Sequence, residues 1–461
     1  MRDYRPLYHE EKPMNKKTAK GLKIAAISVA GVLAAALFFV GGFFTYRLTM
    51  DEGLRSLLWF KEQIDDHYYQ DISDEDFWQA AIDGVENILD DYSFYYSADE
   101  YDVRQNSNVG VYDGLGLSFF SNTNMIYKVS IGSPVFFAQS AAGERAEAGM
   151  YLTGIGESED SLKDTFTASA LSEEISGLTL GTSYVLRLSR SAANDTEDCI
   201  LLSATFSTYT ESYVLYATKN DTYAQLFGDP YYGEWTRVGD GMEELEEGEG
   251  YIRLVQFTGG MISGGAIGSF GLAAEQFKED GCDTLLLDLR NNGGGNLYVL
   301  MGIAQYLIAG DGLLSVLYAG DGADRVSYNI NGTLFDDYFS NSEIYVMANS
   351  NTASASEALM GAMLHYGTID YDDIYLVKAG GASDAPARTY GKGIMQTTYT
   401  NRVTGEAATL TTARIYWPDG TTCIQGRGIT SEDGAHRIDA TTNADYGDPA
   451  LSEILASIRA E

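Results

Sequence analysis

The stretch that decides the fold is Ser350-Asn351-Thr352-Ala353-Ser354-Ala355-Ser356-Glu357. The apolar run before it, residues 344–348, is typical of a buried strand. The residues after it, 358–364, carry apolar side chains at helical spacing, and Gly367 stands where a helix would end. Small hydroxylated residues therefore lie on a strand-to-helix turn, where free N–H groups and the helix dipole favour a developing oxyanion.

The same stretch also has an ordinary structural interpretation. Ser354 and Glu357 are spaced as a capping box, and a serine that caps a helix is far commoner than a nucleophilic serine. Catalysis by Ser354 is therefore a hypothesis that needs support from the rest of the chain.

Composition limits the class of protein. The chain has 461 residues, of which 45% are hydrophobic, so it can bury a large core in two or three domains. The net charge is −36; residues 1–47 carry eight Lys or Arg against three acidic residues, and the remainder carries 22 against 63, or −41. Nucleic acid is an unfavourable partner for so acidic a body, and the excess acid favours solubility.

Cysteines and histidines point to no metal or disulfide chemistry. Cys199, Cys282 and Cys423 are far apart and odd in number, so we interpret them as core residues or free thiols. The four histidines form no zinc-binding cluster and no Ser-His arrangement. We therefore expect no metal and no cofactor.

The N-terminal region predicts a membrane anchor. Residues 24–46 are 23 residues without a charge, long enough to cross a bilayer. Five lysines lie in residues 1–23, which predicts a cytoplasmic basic tail and an extracytoplasmic body. A cleaved signal peptide is the alternative, but the apolar run is longer than a usual signal and no small-residue cleavage site follows it.

The predicted secondary structure changes from helices to strands in the residues that follow the anchor. Residues 51–105 predict two helices with apolar stripes, for which packing is the default role. Residues 106–205 predict short strands and turns, among them Gly114-Leu115-Gly116-Leu117. A glycine-bearing loop before a strand can offer N–H groups to a carboxylate, and a plain β-turn is the alternative.

Residues 206–249 are interpreted as a polar, tyrosine-rich connection that ends in a solvated acidic loop. Residues 284–290 then predict a central parallel strand that breaks into a glycine loop and resumes as a helix at Leu297. The loop has neither the Lys-Ser/Thr of a P-loop nor the spacing of a dinucleotide fingerprint. It can instead bring N–H groups close to a reacting carbonyl.

A lysine between two glycines marks the next candidate. On a strand, Lys392 and Gln396 would point to the same face, so that the amide could hold the amine. A surface lysine in a turn is the structural alternative, although lysine is scarce in this part of the chain.

Together these segments resemble the C-terminal processing (tail-specific) peptidases, serine proteases that use a Ser-Lys dyad. The resemblance spans roughly residues 51–440 and rests on motifs in the order that the family shows. The motifs are LDDYSFYYSADEY (89–101), GLGL (114–117), LDLRNNGGG (287–295), TASASE (352–357), YGKGIMQ (390–396) and LTTARIYWPDG (410–420).

The resemblance implies roles for individual residues. It assigns the nucleophile to Ser354, the general base to Lys392 and a supporting role to Gln396. A lysine acts as a base only when its amine is neutral, so burial must lower its pKa. The implied oxyanion donors are the backbone N–H groups of Ala355 and of Gly294 or Gly295.

The resemblance also implies that residues 106–205 are a PDZ domain that receives a substrate's C-terminal carboxylate at Gly114, Leu115, Gly116 and Leu117. The chain departs from the family pattern at four places. These are Gly293 in place of proline, a Gly380–Asp384 insertion between the serine and the lysine, Gly149-Met150 in place of Gly-Asp, and a tail without the usual proline-aspartate.

The expected fold is α+β, with a mixed α/β (crotonase-like) protease core. The expected parts are a basic tail (1–23), a transmembrane helix (24–46), a helical segment (51–105), a PDZ domain (106–205), a connection (206–249), the core (250–445) and a C-terminal tail (446–461).

The implied function is a membrane-anchored extracytoplasmic serine endopeptidase that cleaves proteins recognised through exposed C-terminal ends. The expected partners are protein or peptide substrates and the membrane, with no nucleic acid, and the oligomeric state is open between monomer and homo-oligomer. One alternative is a PDZ-based scaffold with an inactive core. Another is a small-molecule site, since related α/β cores bind acyl or retinoid ligands, although a lysine opposite a serine would serve little purpose there.

Overall fold

The structure is a computed structural model that describes residues 28–29, 31, 50–229, 232–259, 265–309, 311–318, 325–331, 338–339, 341–379, 385–440 and 448–460. The predicted anchor lies outside the described residues except at positions 28, 29 and 31, and the predicted insertion at 380–384 also lies outside them. None of the helices in the described ranges is both long and apolar enough to cross a membrane. The chain divides into two compact units, residues 1–88 and 89–461.

The first unit contains the two helices that the sequence predicts. Helix α1 (Glu52–His67) begins after Asp51, and α2 (Asp74–Glu86) begins after Ser73, whose side chain accepts the Asp76 N–H. No residue of either helix is buried. The packing that we expected for their apolar stripes is therefore not seen among the described residues.

The second unit opens with a strand, a helix and a small β-rich module. Strand β1 (Phe94–Tyr96) and helix α3 (Ala98–Asn108) come first. The module comprises β2 (Val111–Gly114), β3 (Leu117–Phe119), β4 (Ile126–Val129), α4 (Pro134–Phe137), β5 (Tyr151–Gly156), β6 (Lys163–Asp164), α5 (Ala168–Ser176), β7 (Ser183–Ser189), β8 (Cys199–Thr205) and β9 (Ser207–Thr210). Its main sheet has the order β6-β5-β7-β8, and alternate residues of β7 are buried in a separate apolar core.

The remaining elements build the larger α/β core. They are β10 (Val214–Ala217), β11 (Asp221–Asp229), β12 (Tyr232–Asp240), β13 (Glu249–Leu254), α6 (Ala266–Glu279), β14 (Thr284–Asp288), α7 (Leu297–Leu307), β15 (Asp311–Tyr318), β16 (Arg325–Asn331), β17 (Glu343–Asn349), α8 (Ala355–Tyr366), β18 (Ile374–Ala379), β19 (Ile394–Thr400), β20 (Ala407–Tyr416), β21 (His436–Ala440) and α9 (Pro449–Ile458).

The main sheet has the order β12-β11-β10-β13-β14-β17-β18-β21 among the described strands. Its strands from β13 to β21 are parallel, and β10 to β12 run antiparallel at one edge. The predicted central strand is β14, which lies between β13 and β17 and is buried over residues 285–288. A second sheet contains β1, β20, β15 and β16, with β19 paired to β20.

Residues 206–249, which we interpreted as a polar, tyrosine-rich connection, supply β10, β11 and β12 to the main sheet. Tyr213, Tyr216 and Ala224 are at most 1% exposed. A tyrosine counts as partly polar in the sequence, yet its ring buries well when the hydroxyl finds a partner. The acidic run also differs at its end, where Glu249 is buried and paired with Arg459.

Helices cover both faces of the main sheet. Helices α6, α7 and α8 pack on one face in the largest apolar core. On the other face, α9 buries Ala450, Leu451, Ile454 and Leu455. The segment that we expected as a C-terminal tail is therefore part of the core, because its apolar residues recur at helical spacing.

Candidate active site

Ser354 lies at the predicted turn between β17 and α8. It is the N-cap residue of α8, with φ 58° and ψ −114°. A non-glycine residue in this region of backbone space costs on the order of 1–3 kcal/mol and persists only where the surrounding structure holds it. Gly367 ends the helix in the left-handed conformation, as the sequence predicted. The strained position puts Ser354 beside the N-terminal amides of a buried helix.

The other two hydroxyls of the stretch are engaged in the fold. The Thr352 Oγ1 donates to the Leu289 carbonyl at 2.8 Å, and the Ser356 Oγ donates to the Asn292 carbonyl at 3.0 Å. Both residues are fully buried, whereas Ser354 is half-buried. Ser354 and Glu357 form the capping box that their spacing predicts, and the described residues show no acceptor for the Ser354 hydroxyl proton. Of the three hydroxyls, that of Ser354 is the one with access to a substrate.

Glu357 joins the serine and the lysine segments. Its Oε2 accepts the N–H of Ser354 at 3.0 Å and the N–H of Lys392 at 2.9 Å. Its Oε1 accepts the N–H of Gly391 at 2.8 Å and the hydroxyl of Thr389. The carboxyl group is fully buried, and this burial raises its pKa although the four hydrogen bonds act in the opposite direction. The sequence suggested Glu357 only as a helix cap; its role as a connector was missed.

Lys392 lies just before β19, over an aromatic ring. Its Nζ is 4.8 Å from the centroid of the Tyr92 ring. Burial is the main cause that lowers the pKa of Lys392, the Arg104 charge lowers it further, and Asp90 opposes the shift. A lowered pKa increases the neutral fraction of the amine, which is the form that accepts a proton.

Gln396 is positioned differently from the expectation. Strand β19 begins at Ile394, after Lys392, and its pairing with β20 shifts register between Met395 and Gln396. The simple alternation that would align the two side chains therefore does not apply. The Gln396 Nε2 donates to the Thr411 Oγ1 at 3.1 Å, and the described residues show no hydrogen bond between Gln396 and Lys392.

Residues 90–93 form a turn beside this lysine. The Asp90 Oδ1 accepts the Tyr92 N–H, the Ser93 hydroxyl and the Thr411 hydroxyl at 2.9–3.1 Å. The Tyr92 hydroxyl donates to that of Tyr390 at 3.0 Å. The motif LDDYS was visible in the sequence, but no local pattern showed that it lies against the candidate base.

The glycine loop after β14 reaches the serine. A Cβ on Gly294 would lie 2.7 Å from the Ser354 Cβ and 2.8 Å from the Ala355 nitrogen, and φ of Gly294 is +97°. Only glycine allows this approach. The Gly294 N–H donates to the Asn292 side chain at 3.0 Å. The described residues supply no acceptor for the N–H groups of Ala355 and Gly295, so these two are the better placed candidates for an oxyanion hole.

The loop of residues 114–117 lies away from these groups, in the β-rich module. Gly116 has φ +89°, and a Cβ there would lie 2.0 Å from Ser133. The carbonyls of Leu115 and Gly116 accept the N–H groups of Val135 and Ser130. The loop is therefore a tightly packed turn that requires glycine at position 116.

Comparison with known proteins identifies the core. The sequence profile of peptidase family S41 matches residues 248–370. The chloroplastic C-terminal processing peptidase of Tetradesmus obliquus is 32% identical over 171 residues, which cover 37% of this chain and 32% of that peptidase. The chain thus aligns with about a third of the length of that relative.

Two further matches are longer and more distant. The probable CtpA-like serine protease of Staphylococcus saprophyticus is 24% identical over 430 residues, 92% of this chain and 74% of that protein. The solved structure of the photosystem II D1 C-terminal processing protease matches with a TM-score of 0.46 and 20% identity, covering 84% of this chain and 88% of that one.

The residues that match the family profile include both the glycine loop and the serine turn. Residues 248–370 are thus similar to peptidase family S41, and the curated relatives that the chain resembles are a C-terminal processing peptidase and a probable CtpA-like serine protease.

Proposed function

We propose that the protein is a serine endopeptidase in which Ser354 is the nucleophile and Lys392 is the general base. The observation that carries the proposal is the hydrogen bonding of one Glu357 oxygen to the backbone amides of both residues. This oxygen holds the turn of the serine and the segment of the lysine at a fixed separation. The lowered pKa of Lys392 agrees with a base that is neutral when it acts.

The reaction follows the usual course of acyl transfer. Neutral Lys392 removes the Ser354 proton as the serine oxygen bonds to the peptide carbonyl carbon. The N–H groups of Ala355 and Gly295 stabilise the oxyanion. Lys392 then gives the proton to the leaving amine as the C–N bond breaks. Water then attacks the carbonyl carbon of the resulting ester as Lys392 removes a proton from the water. Lys392 passes this proton to the Ser354 oxygen as the ester C–O bond breaks, which releases the new carboxyl end and restores the Ser354 hydroxyl.

The roles of the remaining parts belong to the same proposal. Residues 106–205 act as a PDZ module that recognises the C-terminal ends of substrates, with the loop of residues 114–117 as one carboxylate contact. Gln396 supports the base indirectly. It donates to the Thr411 hydroxyl, which donates to Asp90, and the charge of Asp90 acts on Lys392. Residues 24–46 anchor the chain in the membrane, with the body outside the cytoplasm. An inactive scaffold would gain nothing from a strained serine beside free amides, which argues against that alternative.

The test is cleavage by the full-length chain. We expect new peptide ends when the purified protein is incubated with a protein mixture and the products are sequenced. The Ser354→Ala protein, with a melting temperature measured beside that of the wild type, is the control. The same new ends in both reactions would refute Ser354 as the nucleophile.

A further inference from the structure

A cavity of about 790 Å³ lies between the β-rich module and the core, within the second unit. Its floor includes the carboxyl ends of β13 and β14, represented by Arg253 and Asp288. Its cover includes strand β4 and residues 145–150 of the module. Ligands of α/β proteins commonly bind at the carboxyl ends of parallel strands, and the volume suits a peptide segment or a small molecule.

The acidic groups on the floor are already occupied. The Asp288 carboxylate accepts the Tyr251 hydroxyl at 2.5 Å and the Arg290 guanidinium at 2.6 Å. The Asp448 carboxylate accepts the same guanidinium, with the Nη1 of Arg290 at 3.0 Å from its Oδ1. Arg290 therefore bridges both carboxylates.

Arg253 lies beside this pair, and its charge contributes to lowering the pKa of Asp288. It pairs with Asp288 in the parallel register of β13 and β14 and shares a sheet face with Tyr251, yet Arg290 has taken the carboxylate beside it. Within the described part of the chain, its guanidinium makes no hydrogen bond and no ion pair. A half-buried guanidinium with five donors and no acceptor favours an incoming anion.

Three further cations line the cover of the cavity, among them Arg145, whose Nη1 donates to the Phe136 carbonyl at 3.5 Å. Lys128 and Arg190 in the cover are paired with Glu211 and Glu144, at 2.7 Å each. Two further acidic residues of the cover, Glu147 and Asp198, disfavour an anion on that side. Apolar residues line the space beside the floor, including Leu215 and Val377.

We propose that this cavity binds a carboxylate of the substrate peptide through Arg253, with the adjoining apolar side chains in the space beside it. The proposal rests on the proposed function and deepens it by naming a charged contact that the N–H groups of residues 114–117 do not supply. Asn291 and Asn349 line the cavity and bond to each other at 2.9 Å. They lie three and five residues before Gly294 and Ser354, so a peptide bound here lies within reach of the reacting loops.

The experiment measures binding separately from cleavage. Fluorescence anisotropy follows a labelled peptide that binds to the full-length Ser354→Ala protein and to versions that also carry Arg253→Met, Arg253→Lys or Arg402→Met. Arg402 is exposed and lies outside the cavity, so its variant is the matched loss of one positive charge. The peptide is made as the free acid, as the C-terminal amide, and as the amide with one internal glutamate.

We expect the free acid to bind about tenfold more tightly than the amide, and this preference to fall in Arg253→Met, with partial recovery in Arg253→Lys and no change in Arg402→Met. A preference restored by the internal glutamate would identify a side-chain carboxylate as the group bound, and its absence would identify the chain end. Equal binding of all three peptides to the Ser354→Ala protein would overturn the proposal. A free-acid preference that is unchanged in Arg253→Met would also overturn it, because Arg253 would then make no contact with the carboxylate. Failure of the proposed function itself would appear separately, as the absence of cleavage by the wild type.

Discussion

At the scale of the residue, three hydroxyls within five positions have three different environments. Thr352 and Ser356 donate to buried carbonyls of the β14 loop, whereas Ser354 sits in a strained conformation at the helix start. The first two hydroxyls hold the loop and the turn together. The third is available for chemistry.

We therefore expect opposite consequences from alanine substitutions in this stretch. Thr352→Ala and Ser356→Ala should each lower the free energy of unfolding by about 1–3 kcal/mol, because each leaves a buried carbonyl without its donor, yet activity should remain. Ser354→Ala should lower kcat on the order of 10⁴-fold or more. Urea denaturation and peptidase assays on the three variants test this; an inactive but stable Ser356→Ala would reverse the assignment.

The pH dependence of activity should follow Lys392. Its folded-state pKa is below the ordinary value of 10.5, so the folded protein binds fewer protons than the unfolded chain between these two values. The contribution of this group to stability therefore rises with pH across that window. Activity should also rise with pH through the folded-state pKa, because the neutral amine is the base.

A profile of kcat/KM from pH 5 to 10 measures the effect. Lys392→Arg should be inactive at every pH, since a guanidinium stays protonated. A flat profile, or an active Lys392→Arg protein, would indicate another base.

At the scale of the element, the start of α8 and the segment before β19 are joined by one buried carboxyl group. Glu357 accepts four hydrogen bonds, two on each oxygen. The connection explains how a lysine outside any strand is held beside a helix start. Its removal should disturb both segments together.

Glu357→Gln tests this connection. The glutamine nitrogen would face N–H or O–H donors where an oxygen now accepts, so we expect a loss of about 1–3 kcal/mol of stability and a clear fall in kcat. Glu432→Gln, on an exposed glutamate, is the control. Thermal unfolding and steady-state kinetics are the measurements. Wild-type kcat in a folded Glu357→Gln protein would show that the carboxyl group does not position the site.

At the scale of the whole molecule, the charge distribution predicts an orientation. Residues 1–23 carry seven Lys or Arg before an uncharged run of 23 residues, and the rest of the chain is strongly acidic. We expect protease treatment of intact cells to remove the body and leave the basic tail. Permeabilised cells, in which both parts are digested, are the control. Protection of the body in intact cells would place it in the cytoplasm.

The sequence by itself determined the elements whose signal is local. Strand β17, the turn at Ser354 and helix α8 follow from an apolar run, small polar residues and helical spacing, and they lie within residues 248–370, which match the S41 profile. Local patterns failed where burial depends on distant partners, as in the tyrosine-rich strands β10 to β12.

Only the tertiary structure decided the contacts of the candidate site. Glu357 and Lys392 are 35 residues apart, and Tyr92 lies further away still. Among the residues that the structure describes, Arg253 makes no hydrogen bond, while Arg290 binds the carboxylate of the neighbouring Asp288. Such contacts depend on which side chains folding brings within hydrogen-bonding distance. Where several acceptors lie near one donor, the three-dimensional arrangement determines which of them accepts the hydrogen bond. Periodicity and spacing along the chain do not indicate this arrangement of donors and acceptors.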